Sequence, residues 1–298
     1  MSFAYPGITH CAHCGMPLSM NETYYCNSCS ERTSSKSSTE EKISLSDRMK
    51  NYEQSSSTCL IRKKPVIIRL DGKAFHTFTQ GLEKPFDYVL SRAFEYTCFK
   101  LKEKVQGTKF IYSQSDEINL LLTDWDKACT NSWFEYRLQK IVSVSCSLAT
   151  NFFNQYIYNY INLIVTSEKL KEIWTSKLFK ASFDSRAFNL EKDEVCNYFI
   201  WRQKDAIRNS KQAFGQSVFS HKELQNKKCD KIIEMCKETI GVDWNDFSNT
   251  QKMGFCVYKN LEEDSDTKWI VDNNIPSFIE NREYIERYLE GDCESNGK

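Results

Sequence analysis

Three strand-like runs, with a helix between the first two, narrow the fold of this chain more than any other feature. Pro65-Val-Ile-Ile-Arg-Leu70 is a β-branched run halted by Asp71-Gly72, the pattern of a buried strand that ends in a turn. Lys109-Phe-Ile-Tyr112 and Ile118-Asn-Leu-Leu-Leu-Thr123 are two further runs. Ser113-Gln-Ser-Asp-Glu117 between them supplies the bend of a hairpin. From Asp87 to Gln106, Val89, Leu90, Ala93, Phe94, Thr97 and Leu101 recur at helical spacing. Phe134 to Tyr160 continues that pattern at greater length, with Ile141, Val144, Leu148, Phe152 and Tyr156 along one side. Strand, helix and hairpin make the first half of a ferredoxin-like sheet with helices on one face, so the expected class is α+β.

Ser30 to Lys42 contains no apolar residue, cannot bury anything, and reads as a flexible linker. It separates a cysteine-bearing module, residues 1–29, from a globular stretch, residues 43–298. Four of the 13 cysteines form Cys11-x-x-Cys14 and Cys26-x-x-Cys29. Each knuckle turns two thiolates toward one ion, and two knuckles complete a closed tetrahedral zinc site of structural type. So small a module needs a staple of this kind, because its core cannot carry the folding free energy. Two unrelated pairs of free thiols are the alternative. The other cysteines are scattered singly, their total is odd, and Met-Ser-Phe-Ala-Tyr-Pro does not open a signal peptide. A reducing, cytoplasmic setting is the expectation. No apolar run approaches the roughly 18 residues that a bilayer span requires, so no membrane role is expected.

Lys+Arg and Asp+Glu balance at 40 each, so any polyanion must be met by a local basic surface. Arg202 to Lys231 is one such stretch, with Lys204, Arg208, Lys211, Lys222, Lys227 and Lys228 against Asp205, Glu223 and Asp230. A solvated helix face has the same look. Asp71 and Asp116 would stand at the mouths of adjacent strands. Two such carboxylates repel unless cations lie between them, and two Mg²⁺ ions resolve the conflict. That is the arrangement of nucleotidyl transfer, in which one ion activates the attacking oxygen and the other steadies the leaving pyrophosphate. Gly72 would bring a backbone carbonyl close. Glu117 would point to the other side of the bend and support the pair. Asp-Gly and Ser-Asp are also ordinary turn formers, so the carboxylates alone leave both readings open.

Ile68-Arg-Leu-Asp-Gly-Lys-Ala-Phe-His76, Tyr112-Ser-Gln-Ser-Asp-Glu117, Phe183-Asp-Ser-Arg186 and Trp201-Arg-Gln-Lys-Asp205 follow one another in this order. Together they resemble the tRNA-His guanylyltransferase family of 3′-to-5′ polymerases. Ser46-Asp-Arg-Met-Lys-Asn-Tyr-Glu53 and Trp269-Ile-Val-Asp-Asn-Asn-Ile-Pro276 resemble its bacterial-type branch. The resemblance runs from Ser44 to Leu289 and leaves the cysteine module outside. It implies a palm-like catalytic domain, with Asp71, Asp116 and Glu117 as catalytic carboxylates. Mg²⁺ would be held by Asp71, the carbonyl of Gly72 and Asp116, whereas the zinc expected on Cys11, Cys14, Cys26 and Cys29 rests on their spacing alone. Nucleotide binding would fall to Asp71, Gly72, Lys73, Ala74, Phe75, His76, Ser115 and Asp116, with Arg137, Lys140 and Arg186 on the triphosphate. Arg forks suit phosphate oxygens, and Lys supplies a point charge. Arg202, Arg208, Asn209 and Lys222 are candidates for tRNA contact. ATP and GTP are implied as substrates, tRNA as partner, and a homotetramer as the assembly.

One departure separates branches of the family. Guanosine-adding members carry His-Ile-Asn-Asn where this chain has Ile207-Arg-Asn-Ser210. That resembles the Thg-like branch, whose members repair tRNAs truncated at the 5′ end. In the implied reaction, a tRNA 5′-phosphate attacks the α-phosphorus of ATP and pyrophosphate leaves. The 3′-hydroxyl of an incoming nucleotide then attacks the activated phosphate and expels AMP. Three other readings remain at this point. They are guanosine addition to tRNA-His, a palm-fold cyclase that needs no RNA, and a catalytically retired RNA-binding module.

Overall fold

The structure is a computed structural model that describes residues 10–11, 16–18, 43–125, 130–261 and 269–290. The chain divides into two compact units, Met1–Ser56 and Ser57–Lys298. The helix Leu45–Ser55, begun by the Ser44 hydroxyl accepting the Asp47 N–H at 3.1 Å, falls within the first of these units. In the cysteine module His10 bridges Pro17, and the Cys11 N–H donates to the Met16 carbonyl at 2.7 Å. Cys14, Cys26 and Cys29, and with them the zinc assignment, lie outside the described residues, as does acidic Glu262 to Asp266.

The larger unit is built on a six-stranded antiparallel sheet in the order β4-β1-β3-β2-β5-β6. Its strands are β1 (Val66–Gly72), β2 (Thr108–Gln114), β3 (Glu117–Leu122), β4 (Phe183–Asn189), β5 (Phe255–Lys259) and β6 (Trp269–Asp272). Helix α1 (Tyr88–Lys104) connects β1 to β2, and α2 (Leu138–Ile164) lies between β3 and β4. The first four strands and these two helices thus give the ferredoxin-like arrangement that the sequence predicts. Asp87 caps α1 by accepting the Leu90 N–H at 2.9 Å.

The sheet is apolar on both faces, because β1 and β3 have no polar alternation over most of their length. Val66, Ile68, Leu70, Ile118, Leu120 and Leu122 pack under α1 and α2 with Phe94, Phe153 and Trp174. Ile67, Phe110, Tyr112 and Leu121 face the other way, against Val195 and Phe199 of α3 (Glu194–Val218) and against Phe278 and Tyr288. Helices on one face only, as expected from the strand–helix–hairpin pattern, is corrected by α3. A smaller core of Phe214, Leu224, Ile232 and Cys236 joins α3 to α4 (Cys229–Ile240).

Helix α2 begins four residues later than its apolar pattern suggests. Phe134, Glu135 and Tyr136 hold φ of 51°, 54° and 57°, a left-handed turn that a right-handed helix cannot include. Its inner face is also rotated. Ser145 and Ala149 are fully buried whereas Val144 and Leu148 are only partly so. Small residues there let the helix come close enough for the Ser145 and Ser185 hydroxyls to meet at 2.8 Å. No helix among the described residues is long and apolar enough to cross a membrane.

Candidate active site

Strand register brings the acidic groups together at one end of the sheet. Asp71 stands opposite Glu117 across β1–β3 and opposite Asp184 across β1–β4. The Gly72 N–H donates to the Asp116 carbonyl at 2.9 Å, pinning the end of β1 to the β2–β3 hairpin turn. In that two-residue turn Ser115 has φ 50°, and its hydroxyl donates to Asp116 Oδ1 at 3.2 Å. Beyond β1 the chain folds back sharply. A Cβ on Gly72 would lie 2.4 Å from the Phe75 ring, so only glycine permits this turn. Phe75 anchors the turn among Phe94, Phe153 and Phe183, with ring centroids 5.8, 5.5 and 5.3 Å away. Lys73, Ala74 and His76 are left exposed beside the carboxylates.

Burial pushes the Asp116 carboxyl above its ordinary range, and the neighbouring charge of Asp71 adds to the rise. The two carboxylates therefore oppose each other, as expected of a site designed around a cation. Among the described residues no three His, Cys, Asp or Glu side chains converge as a metal cage. A carboxylate pair plus one backbone carbonyl is nonetheless what Mg²⁺ takes when substrate phosphates complete its shell. The chemistry of the donors fits the ion.

The strained pair gives a stability test. A carboxyl whose pKa rises on folding contributes stability while protonated and loses that contribution as pH climbs through its folded value. At neutral pH, ionised Asp116 thus works against the fold. In EDTA, Asp116→Asn melts above wild type at pH 7, and the advantage fades as pH falls toward 3.8. Thermal melts at the two pH values check this; equal melting at pH 7 would contradict it.

A cavity of about 340 Å³ opens beside the turn, lined by His76, Gln80, Asp87, Ser115, Asn209 and Lys252 among others. Its mixed polar and apolar walls and its contact with Ser115 suit a nucleoside whose phosphates point at Asp116. Arg186 reaches the site, with Nη2 3.9 Å from Asp71 Oδ2 and 3.5 Å from Asp184 Oδ1, and its side chain is half exposed.

Other expected residues stand elsewhere. Glu117 is buried, and its oxygens accept from Arg202 Nε and Nη2 at 2.7 Å each and from Asn119 Nδ2 at 2.8 Å. Its carboxylate is thus committed to the interior rather than to the open side of the site. Arg202 is corrected as a candidate for tRNA contact. It is 5% exposed, holds Glu117 by both fork nitrogens, and reaches Asp205 at 2.9 Å. Arg208, on the exposed side, pairs with Asp205 at 3.1 Å, Asn209 lines the cavity, and Lys222 is exposed on the short helix His221–Leu224.

Arg137 and Lys140 are not brought to the carboxylates. Arg137 bridges Cys59, the Leu60 N–H donates to the Tyr136 carbonyl, and the Ile61 N–H donates to Asn189, which faces Val66. Val66 and Asp71 are at opposite ends of β1, about 16 Å apart at strand rise. Helix α2 runs antiparallel to β4, with Ser145 at Ser185 and Asn154 at Ala181, so its N-terminus points away from the site. The sequence missed Arg69, whose Nη2 lies 3.3 Å from Asp71 Oδ2 and whose Nε lies 3.0 Å from Glu117 Oε2. Its signal was position, since a residue two before Asp71 on a strand shares its face.

Comparison with known proteins follows the same lines. A family model described as tRNAHis guanylyltransferase matches residues 46–191. A solved bacterial tRNA(His) guanylyltransferase-like protein in complex with ATP is 41% identical, with TM-score 0.73, covering 83% of this chain and 99% of its own. A solved bacterial protein of the same description in complex with GTP is 40% identical, with TM-score 0.65, covering 82% and 98%. The probable tRNA(His) guanylyltransferase of Dictyostelium discoideum is 25% identical over 228 residues, 71% of this chain and 80% of that protein.

Proposed function

The chain belongs to the tRNA-His guanylyltransferase family and is a nucleotidyltransferase, and on that premise we propose that it repairs the 5′ ends of truncated tRNAs by templated 3′-to-5′ addition. The observation that carries the proposal is the opposed pair Asp71 and Asp116, joined through Gly72, with Ser115 and His76 next to them lining a cavity of about 340 Å³. Two Mg²⁺ ions on Asp71, Asp116 and the Gly72 carbonyl would supply the positive charge that displacement at phosphorus requires.

The residues of the chain do the rest. The cavity beside Ser115 holds the nucleoside and keeps its phosphates at the carboxylates. Arg186 takes phosphate oxygens with its fork, trading its contact with Asp184 for a stronger partner. ATP or GTP fills this site first. The tRNA 5′-phosphate attacks the α-phosphorus and releases pyrophosphate. The incoming nucleotide's 3′-hydroxyl then attacks the activated phosphate, releasing the nucleoside monophosphate. Arg137 and Lys140, far from this chain's own carboxylates, take no part within one subunit.

Preference for truncated tRNA over tRNA-His rests on Ser210. Guanosine-adding relatives, by resemblance, carry asparagine there. Here the hydroxyl is buried, lies 3.0 Å from both the Ile207 and Lys252 carbonyls, and accepts from Trp244 Nε1 at 3.2 Å. No side-chain group at this position is left for RNA. We expect kcat/KM at least about tenfold higher for a tRNA lacking its first nucleotide than for full-length tRNA-His, a difference of about 1.4 kcal/mol. Steady-state assays on the two substrates decide it, and the reverse order would assign guanosine addition instead. The same proposal includes a homotetramer and a zinc held by Cys11, Cys14, Cys26 and Cys29. Metal analysis of wild type and Cys11→Ser tests the zinc, which fails if both bind it alike or neither does.

A further inference from the structure

We propose that the cluster Arg69–Glu117–Arg202 is a positioning device that sets how tightly Asp71 can hold a divalent cation. The inference rests on the reading of Asp71 and Asp116 as cation ligands. It gives Glu117 and Arg202 roles other than those their sequence positions suggested.

The geometry is a line of alternating charge. Asp71 and Glu117 are paired across β1–β3, and Arg69 lies on their face of the sheet. Arg69 divides itself between them, with Nη2 3.3 Å from Asp71 Oδ2 and Nε 3.0 Å from Glu117 Oε2. Glu117 is fixed from behind by both fork nitrogens of Arg202 at 2.7 Å. Asn119 adds a third donor at 2.8 Å, and is itself oriented by the Tyr198 hydroxyl at 2.5 Å. Asp205 takes the remaining Arg202 nitrogen at 2.9 Å. Glu117 is 3% exposed, Asn119 0% and Arg202 5%, so water does not screen the contacts behind Glu117, while Arg69 and Asp71 are partly open.

In this arrangement Glu117 competes with Asp71 for Arg69. While Glu117 keeps its charge, Arg69 is held partly away from Asp71, whose remaining negative charge faces the open side. Removing that charge leaves Asp71 as the only carboxylate against Arg69. A cation must then displace a guanidinium, and its affinity falls. An ion cluster that served only to hold the fold together would change melting temperature without changing cation affinity.

The test is Mn²⁺ binding to the full-length protein with a non-hydrolysable ATP analogue, followed by the free-Mn²⁺ electron paramagnetic resonance signal. Wild type binds, and Asp71→Ala loses that binding. Glu117→Gln, which keeps shape and loses charge, weakens Mn²⁺ by about 10- to 100-fold, the range typical of groups that orient a ligand. Arg202→Lys keeps the charge, loses the fork, and weakens Mn²⁺ by a smaller factor. Wild-type Mn²⁺ affinity in folded Glu117→Gln overturns the inference while leaving Asp71 a ligand. Should that variant not fold, unchanged affinity in Arg202→Lys overturns it instead. Failure of wild type to bind Mn²⁺, or binding unaltered by Asp71→Ala, overturns the ligand reading and the inference with it.

Discussion

Asp71→Ala and Asp116→Ala each reduce nucleotide addition by about 10³-fold or more, equivalent to roughly 4 kcal/mol of lost transition-state stabilisation. The size follows from their place. They stand together at the open end of the site, where they oppose each other without a divalent cation. Of the acids paired with Asp71, Glu117 has its oxygens taken by Arg202 and Asn119, and Asp184 stands on the far side of Asp71 from the hairpin that carries Asp116. Neither substitution removes a core contact, since Asp71 lies at the end of β1 and Asp116 in a turn. Melting temperatures therefore do not fall, and Asp116→Ala gains at pH 7 without Mg²⁺ for the same reason as Asp116→Asn, which separates loss of chemistry from loss of fold. Single-turnover extension assays beside thermal melts measure both.

Arg202→Ala acts the other way, on stability first. It strips Glu117 of two charged donors at a site 3% exposed and leaves only Arg69 and Asn119 beside it; removing one partner of a buried pair costs up to about 3–5 kcal/mol. At roughly 2–4 °C per kcal/mol for a domain of this size, melting falls by about 6–20 °C. The penalty belongs to the under-paired carboxylate. Pairing Arg202→Met with Glu117→Gln removes the charge along with its partner and recovers much of the loss. Equal melting of the single and double variants would show that the damage lies in packing of α3 instead.

How much of this could be read beforehand varied with the kind of contact. The strands and α1 were legible because each is a local apolar pattern, and the hairpin put Asp116 beside Asp71 by chain connectivity alone. The start of α2 was hidden because Trp133, Phe134 and Tyr136 extend its apolar pattern while the backbone between them is left-handed. Lys140 was placed on the correct helix, and Arg137 stands just before its first turn. Its direction relative to β4 is a matter of tertiary packing, however, and that direction carries them to the far end of the sheet. Arg202 sits in a basic stretch that looked like a surface. Its partner Glu117 is 85 residues away, and no local pattern announces so distant a pair. The reading of the second sheet face failed for a similar reason, since Ile67 and Leu121 required α3 to be known before they could be assigned a neighbour.

The most direct test of the central claim uses four 5′-monophosphorylated tRNAs, each lacking its first nucleotide and each presenting a different base on the opposing strand. Each is incubated with Mg²⁺, ATP and all four nucleoside triphosphates and resolved on a sequencing gel. Growth by the one nucleotide complementary to the opposing base, in all four and absent in Asp71→Ala, is the predicted result. Addition of guanosine whatever base lies opposite, or turnover of GTP without any growth of the RNA, would contradict it.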